Sequence, residues 1–173
     1  MLSIRPKWVE KIASGEKTIE VRKTKPKLET PFKCYIYCTL PKYPHEDFVA
    51  TDYPRPQFYG GGKVIGEFIC DRIDRLDPAN EPYGIYEIDD DYVLQTCLEN
   101  GALWDYGHGT PLYGWHISDL LIYDQPRELS EFQRATDPCD SCHAEYTWEC
   151  TDCKKLGGDI KRPPQSWCYV EEG

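Results

Sequence analysis

The segment Gly15-Glu16-Lys17-Thr18-Ile19-Glu20-Val21-Arg22-Lys23 constrains the fold of this chain more than any other. Thr18, Glu20 and Arg22 alternate with the apolar Ile19 and Val21, the period of a strand with one face in a core and the other carrying charge. Lys17 stands at the strand entrance, just after a short helix that Gly15 ends. An ammonium, a carboxylate and a guanidinium therefore converge on one small volume, the first candidate site. The alternative is an internal ion pair of Glu20 with Lys17 or Arg22 that only satisfies buried charges.

The rest of the chain supplies a mixed α+β pattern without the βαβ rhythm of a parallel sheet. Leu2-Ser3-Ile4 reads as a strand, and Pro6 starts a helix over residues 7–13 whose apolar face is Trp8, Val9 and Ile12. Residues 18–24, 33–39, 63–73 (with a bulge at Gly66) and 113–123 read as strands. Residues 167–170 close the sheet. A helix over 91–98 follows an Asp run that caps it. The long Pro- and aromatic-rich stretch 41–62 reads as a loop of the kind that forms binding lids or is disordered. Five or six strands and two short helices in 173 residues predict one domain, a small mixed β-barrel.

The net charge of -10 argues against a protein that coats nucleic acid nonspecifically. Its distribution is uneven. Residues 1–33 hold nine Lys/Arg against four Glu, a net +5 that leaves -15 for the other 140 residues. The basic end is thus the end that carries the convergent strand. There is no apolar run of the length that a signal peptide or membrane span needs, so the expected location is the cytoplasm. Nine cysteines in such a chain read as thiols and metal ligands, not as a disulfide framework.

Four of them form a pattern. Cys139-Asp140-Ser141-Cys142 and Cys150-Thr151-Asp152-Cys153 are two CxxC knuckles, and together they supply the closed four-thiolate set that zinc favours. A closed set has no open position for substrate, so the expected cofactor is a structural zinc, folding a module over 137–158 that has few large apolar residues. Cys34, Cys38, Cys70, Cys97 and Cys168 lie in apolar runs and read as buried, inert thiols.

The segment from Gly15 to Arg22, with the helix before it and Gly62-Lys63-Val64-Ile65-Gly66-Glu67-Phe68 after it, resembles the ASCH domain of the PUA-like superfamily. Residues 115–120 and 126–132 are similar to phage-type members. The resemblance covers most of residues 2–132 and the terminal strand, with the zinc module as an insertion. It implies a PUA-like β-barrel with short flanking helices, a cleft beside the first helix, and binding of RNA or chemistry on nucleosides. Some ASCH-type proteins hydrolyse the amide of acetylated cytidine with a lysine that maps to Lys17. They carry a threonine where this chain has Glu20.

Two mechanisms follow. In recognition, Lys17 and Arg22 hold a phosphate or base edge, Thr18 and His116 line the cleft, Glu20 accepts from an exocyclic amine, and Trp8, Tyr59 or Trp115 stacks on a base. In hydrolysis, Lys17 is a base or oxyanion stabiliser and Glu20 or Glu67 relays a proton. His108 and His116 are lesser candidate bases. A third class, a protein-interaction module using the acidic surface and zinc knuckles, stands beside them.

Overall fold

The structure, a computed structural model, describes residues 1–40, 61–79, 84–135 and 158–172. Tyr59, nearly all of the 41–62 loop and the cysteines Cys139, Cys142, Cys150 and Cys153 lie outside the described residues. The chain divides into two compact units, one of Met1–Pro6, Tyr35–Gly66 and Tyr123–Gly173, the other of Lys7–Cys34 and Glu67–Ile122.

The first elements follow their sequence signals closely. β1 (Leu2–Ile4) leads through Pro6 into α1 (Pro6–Ala13). Pro6 suits the first helical position because its missing N–H would have no partner there. Val9 and Ile12 are buried on the helix's inner face. Gly15 terminates the turn at φ +79°, with its N–H on the Ile12 carbonyl at 3.0 Å, a conformation that a Cβ disfavours. β2 (Ile19–Arg22) comes next, then β3 (Phe32–Cys38). Residues Cys34 to Cys38 are buried without interruption, so both faces of β3 are covered.

Two runs that read as single strands are each broken in two. Residues 63–73 become β4 (Lys63–Cys70) and part of β5 (Ile73–Leu76). Residues 113–123 become part of β6 (Leu112–His116) and of β7 (Ser118–Arg127). At the second break the Ile117 N–H donates to the Thr18 carbonyl and the Ser118 hydroxyl to the Ile69 carbonyl. The halves then serve different sheets, of order β1-β3-β4-β7 and β2-β6-β5. This corrects the expected closed barrel. Among the described residues the strands form open sheets, because each long run changes partners midway and no continuous ladder closes on itself.

In the unit containing Met1, β1 runs parallel to β3 with Leu2 opposite Ile36. A further small sheet follows a 3-10 turn (Leu129–Glu131): β8 (Phe132–Arg134) lies between β9 (Gly158–Asp159) and β10 (Val170–Glu172). The expected closing strand over 167–170 is thereby split, since Trp167 bridges Leu2 while Val170 pairs with Arg134. Tyr35, Tyr37, Val64, Phe132 and Cys168 form this unit's core.

In the other unit, β6 is the central strand of an antiparallel sheet, and Val21, Leu76, Tyr86, Leu103 and Leu112 form a core. α2 (Asp90–Thr96) is capped by the Asp89 carboxylate, which accepts from the Tyr92 N–H at 2.8 Å. The Asp run thus acts as the sequence implied. α3 (Asn100–Gly107) has no amphipathic sequence signal. Its last residue is glycine because the Tyr86 hydroxyl, donating to the Thr110 carbonyl at 2.8 Å, occupies the place of a Cβ.

Candidate functional site

Lys17, Glu20 and Arg22 do converge, and they are buried. Lys17 is 1% exposed and Glu20 and Arg22 are each 7% exposed, so the charged face of β2 is covered where the sequence suggested a cleft. The Lys17 ammonium donates to the carbonyls of Ile19 at 2.8 Å and Thr96 at 2.6 Å, and its Nζ lies 3.3 Å from Glu20 Oε2. Three acceptors use the three protons of an ammonium. The other Glu20 oxygen takes Arg22 Nη2 at 3.0 Å. Burial is the largest influence on Lys17 and pushes its pKa down, while Glu20 pulls it back up.

The surroundings of this network are aromatic and cationic. Trp8, half-buried, has Lys7 Nζ 4.6 Å and Lys17 Nζ 5.3 Å from its ring centre. Beyond Arg22, the exposed Lys23 lies 5.0 Å from the Tyr106 ring and the exposed Lys25 lies 6.0 Å from the Tyr113 ring. Burial pushes the Tyr106 phenol up, with Arg22 lowering it and Glu20 raising it, so Tyr106 adjoins the charged strand. Thr18 is held through its backbone, its N–H on the Gln95 carbonyl and its carbonyl accepting from Ile117, each at 2.9 Å.

Strand register separates residues that the sequence grouped. Glu20 pairs with Trp115, Arg22 with Tyr113 and Ile19 with His116. Paired residues share a face and neighbours along a strand alternate. Trp115 and Tyr113 therefore lie on the Glu20–Arg22 face, and His116 on the opposite one. Trp115 is 2% exposed and packs edge-on against Phe32, a core position with no open ring face for a base. Glu67, on β4, forms an ion pair with Lys33 at 3.0 Å.

His116 belongs to a cluster of its own. Its Nε2 is 2.6 Å from Asp74 Oδ2, and Asp74 Oδ1 takes Arg72 Nε at 3.1 Å. Arg72 Nη2 lies 2.9 Å from the same Nε2, so guanidinium, imidazole and carboxylate meet at one point. The Tyr92 ring stands 6.4 Å from the imidazole, and burial pushes its phenol pKa far up. Asp74 and Arg72 escaped the sequence reading because they lie about forty residues from His116, and only the β5–β6 register, with Asp74 beside Gly114, brings them together. Thr96 escaped it because it contributes a backbone carbonyl. The other candidate histidine, His108, sits exposed at the end of α3 in the left-handed region, φ 51°.

Among the described residues no group of three or more His, Cys, Asp or Glu side chains is placed to hold a metal ion. The four CxxC cysteines lie outside them. Of the five remaining thiols, four are buried and Cys97 is half-exposed, its Sγ donating to the Glu16 carbonyl. No described helix is long and apolar enough to cross a membrane.

No protein-family model matches this chain and no curated protein matches it. Among solved structures it is similar to ASCH from Zymomonas mobilis, at 20% identity and TM-score 0.49 over 74% of this chain and 71% of that one. A tyrosine-to-phenylalanine mutant of that protein matches at 19% identity and TM-score 0.47, covering 74% and 73%. A serine-to-alanine mutant matches at 17% and 0.48, covering 99% and 85%.

Proposed function

We propose that this chain is an ASCH-type domain of the PUA-like superfamily that binds RNA or a modified nucleotide, with β2 and its cationic, aromatic rim as the interface. The observation that carries this reading is the pairing of exposed cations with tyrosine rings beside Arg22: Lys23 with Tyr106 and Lys25 with Tyr113. Single-stranded nucleic acid is held by that combination, phosphates by the cations and bases by the ring faces. In this reading Lys17 and Glu20 position Arg22 and the strand from beneath.

In the hydrolase alternative Lys17 must be neutral to act as a base, or must have a proton to give an oxyanion, and its three are already taken by Ile19, Thr96 and Glu20. Burial favours the neutral amine. The three oxygens around Nζ favour the ammonium, and they make Lys17 a fixed cation rather than a base. Recognition is therefore the stronger reading. The CxxC cysteines complete it as a structural zinc module, since four thiolates suit that ion and leave no coordination position for substrate. A protein partner at that module would be lost on disrupting the knuckles and kept in Lys17→Ala.

The test is a panel of short RNAs and modified nucleosides, including acetylated cytidine, with mass spectrometry of bound and converted species. The expected result is salt-sensitive binding, weakened in Lys23→Ala/Lys25→Ala, with the nucleic acid recovered unchanged. Conversion of acetylated cytidine that Lys17→Ala abolishes would establish hydrolysis instead.

A further inference from the structure

The unit containing Met1 holds a second concentration of positive charge that the interface above does not use. A cavity of about 450 Å³ is lined by Arg134, Lys161 and Arg162, with Ile160, Pro163 and Pro164 as apolar wall and Gln165 and Cys168 completing the lining. Its lining contains three cations and no carboxylate, in a chain of net charge -10. None of the three cations has an ion pair among the described residues. Arg127 in the same unit, by contrast, is matched to Glu131 at 3.0 Å and Glu172 at 3.1 Å.

The cavity wall is anchored on each side. Arg134 sits on the middle strand β8, opposite Gly158 on one flank and Val170 on the other. Past Lys161 and Arg162 the chain stiffens at Pro163 and Pro164 and is tied to β1. The Ser3 hydroxyl donates to the Pro164 carbonyl at 2.6 Å, and the Ser3 N–H to the Ser166 carbonyl at 2.9 Å. Cys168 donates its N–H to the Met1 carbonyl at 3.0 Å. Because the backbone is fixed in this way, receiving an anion orders only the three exposed side chains and not the chain that carries them. The volume falls within the range of small-ligand sites, and the proline and isoleucine wall suits an apolar group attached to that anion.

We infer that this cavity is an anion site for the phosphate of a nucleotide, whether free or within a single strand, held by Arg134, Lys161 and Arg162. Guanidinium and ammonium donors to phosphate form charge-assisted hydrogen bonds, and two guanidinium forks supply bidentate geometry. The site is separate from the Lys23/Lys25 rim in residues and in test.

The experiment titrates the full chain with inorganic pyrophosphate, AMP, adenosine and a short RNA lacking terminal phosphates, following heat or amide chemical shifts. Saturable binding of pyrophosphate and AMP is expected, with adenosine inert. It should weaken about tenfold or more in Lys161→Gln/Arg162→Gln and stay unchanged in Lys23→Ala/Lys25→Ala. Both substituted side chains are exposed, so an unmoved thermal midpoint verifies that the variant is folded. Competition by the RNA assigns the site to backbone phosphates, and its absence assigns it to mononucleotides. Absence of saturable pyrophosphate binding, or binding that survives Lys161→Gln/Arg162→Gln, overturns the inference. Failure of the proposed RNA interface would appear separately, as RNA binding indifferent to Lys23 and Lys25.

Discussion

Lys17 with Arg22, and Arg134 with Lys161 and Arg162, are two sets of cations treated in opposite ways. The first set is buried and matched within the protein, to Glu20 and to two backbone carbonyls. The second lines an open cavity with no carboxylate among its walls. A cation removed from water must have its partners built in, whereas an exposed one can keep water until an anion replaces it. The difference teaches where to look for ligands in this chain: the charges of the motif that stands out in the sequence are paired with one another, and the cations left to receive something lie around it or elsewhere.

The largest effect should come from breaking the buried set. Glu20→Ala leaves two buried cations facing each other, and a loss of about 3–5 kcal/mol in denaturant unfolding is expected. Lys161→Gln/Arg162→Gln should move the same measurement by less than about 0.5 kcal/mol. Equal losses would erase the distinction between the two sets.

A smaller effect tests whether the sheet beneath the buried set is as tightly packed as burial implies. A Cβ at Gly114 would collide with the Tyr92 hydroxyl and crowd Ile19. Gly114→Ala should therefore destabilise by about 1–3 kcal/mol, without altering pyrophosphate affinity.

Alkaline titration sharpens the comparison further. Burial pushes Cys70 from an ordinary 9.0 up to about 12 and Cys38 up to about 11. Between 9.0 and those values the unfolded chain has released protons that the folded chain retains, so stability falls as pH rises through that window. Lys17 acts in the opposite sense. With its pKa pushed below 10.5, the folded chain releases a proton that the unfolded chain still holds, and stability rises with pH between the two values. Unfolding curves across this range should fall more steeply in Lys17→Met than in the parent. An unchanged slope would mean that Lys17 titrates as if exposed.

The smallest effect is salt. Added salt should leave the stability contribution of the buried set nearly unchanged and weaken pyrophosphate binding progressively, because screening reaches exposed charges first. For the cysteine module, metal content measured beside these titrations should be stoichiometric in zinc, and Cys139→Ser with Cys150→Ser should lower the thermal midpoint.

Several elements were legible from local signals alone. Pro6, the apolar trio Trp8, Val9 and Ile12, and Gly15 specified α1; the Asp run specified the cap of α2; and the alternation around Ile19 and Val21 specified β2. Each depends on residues within a turn or two. The break at Ile117 was not legible, because Trp115 to Tyr123 has strand character throughout and only the Thr18 and Ile69 carbonyls decide where the chain changes sheets. α3 was hidden by its glycines, one of which is fixed by a tyrosine from a distant segment.

The candidate sites divide along the same line. The sequence by itself determined that Lys17, Glu20 and Arg22 meet, since short spacing and strand alternation leave them little choice. Only the tertiary structure decided that they meet inside the protein, that His116 faces away from them toward Asp74, and that Arg134, separated by more than twenty residues from Lys161 and Arg162, joins them around a cavity. Burial and register are properties of what packs across from a residue, and a local pattern carries no record of its partners.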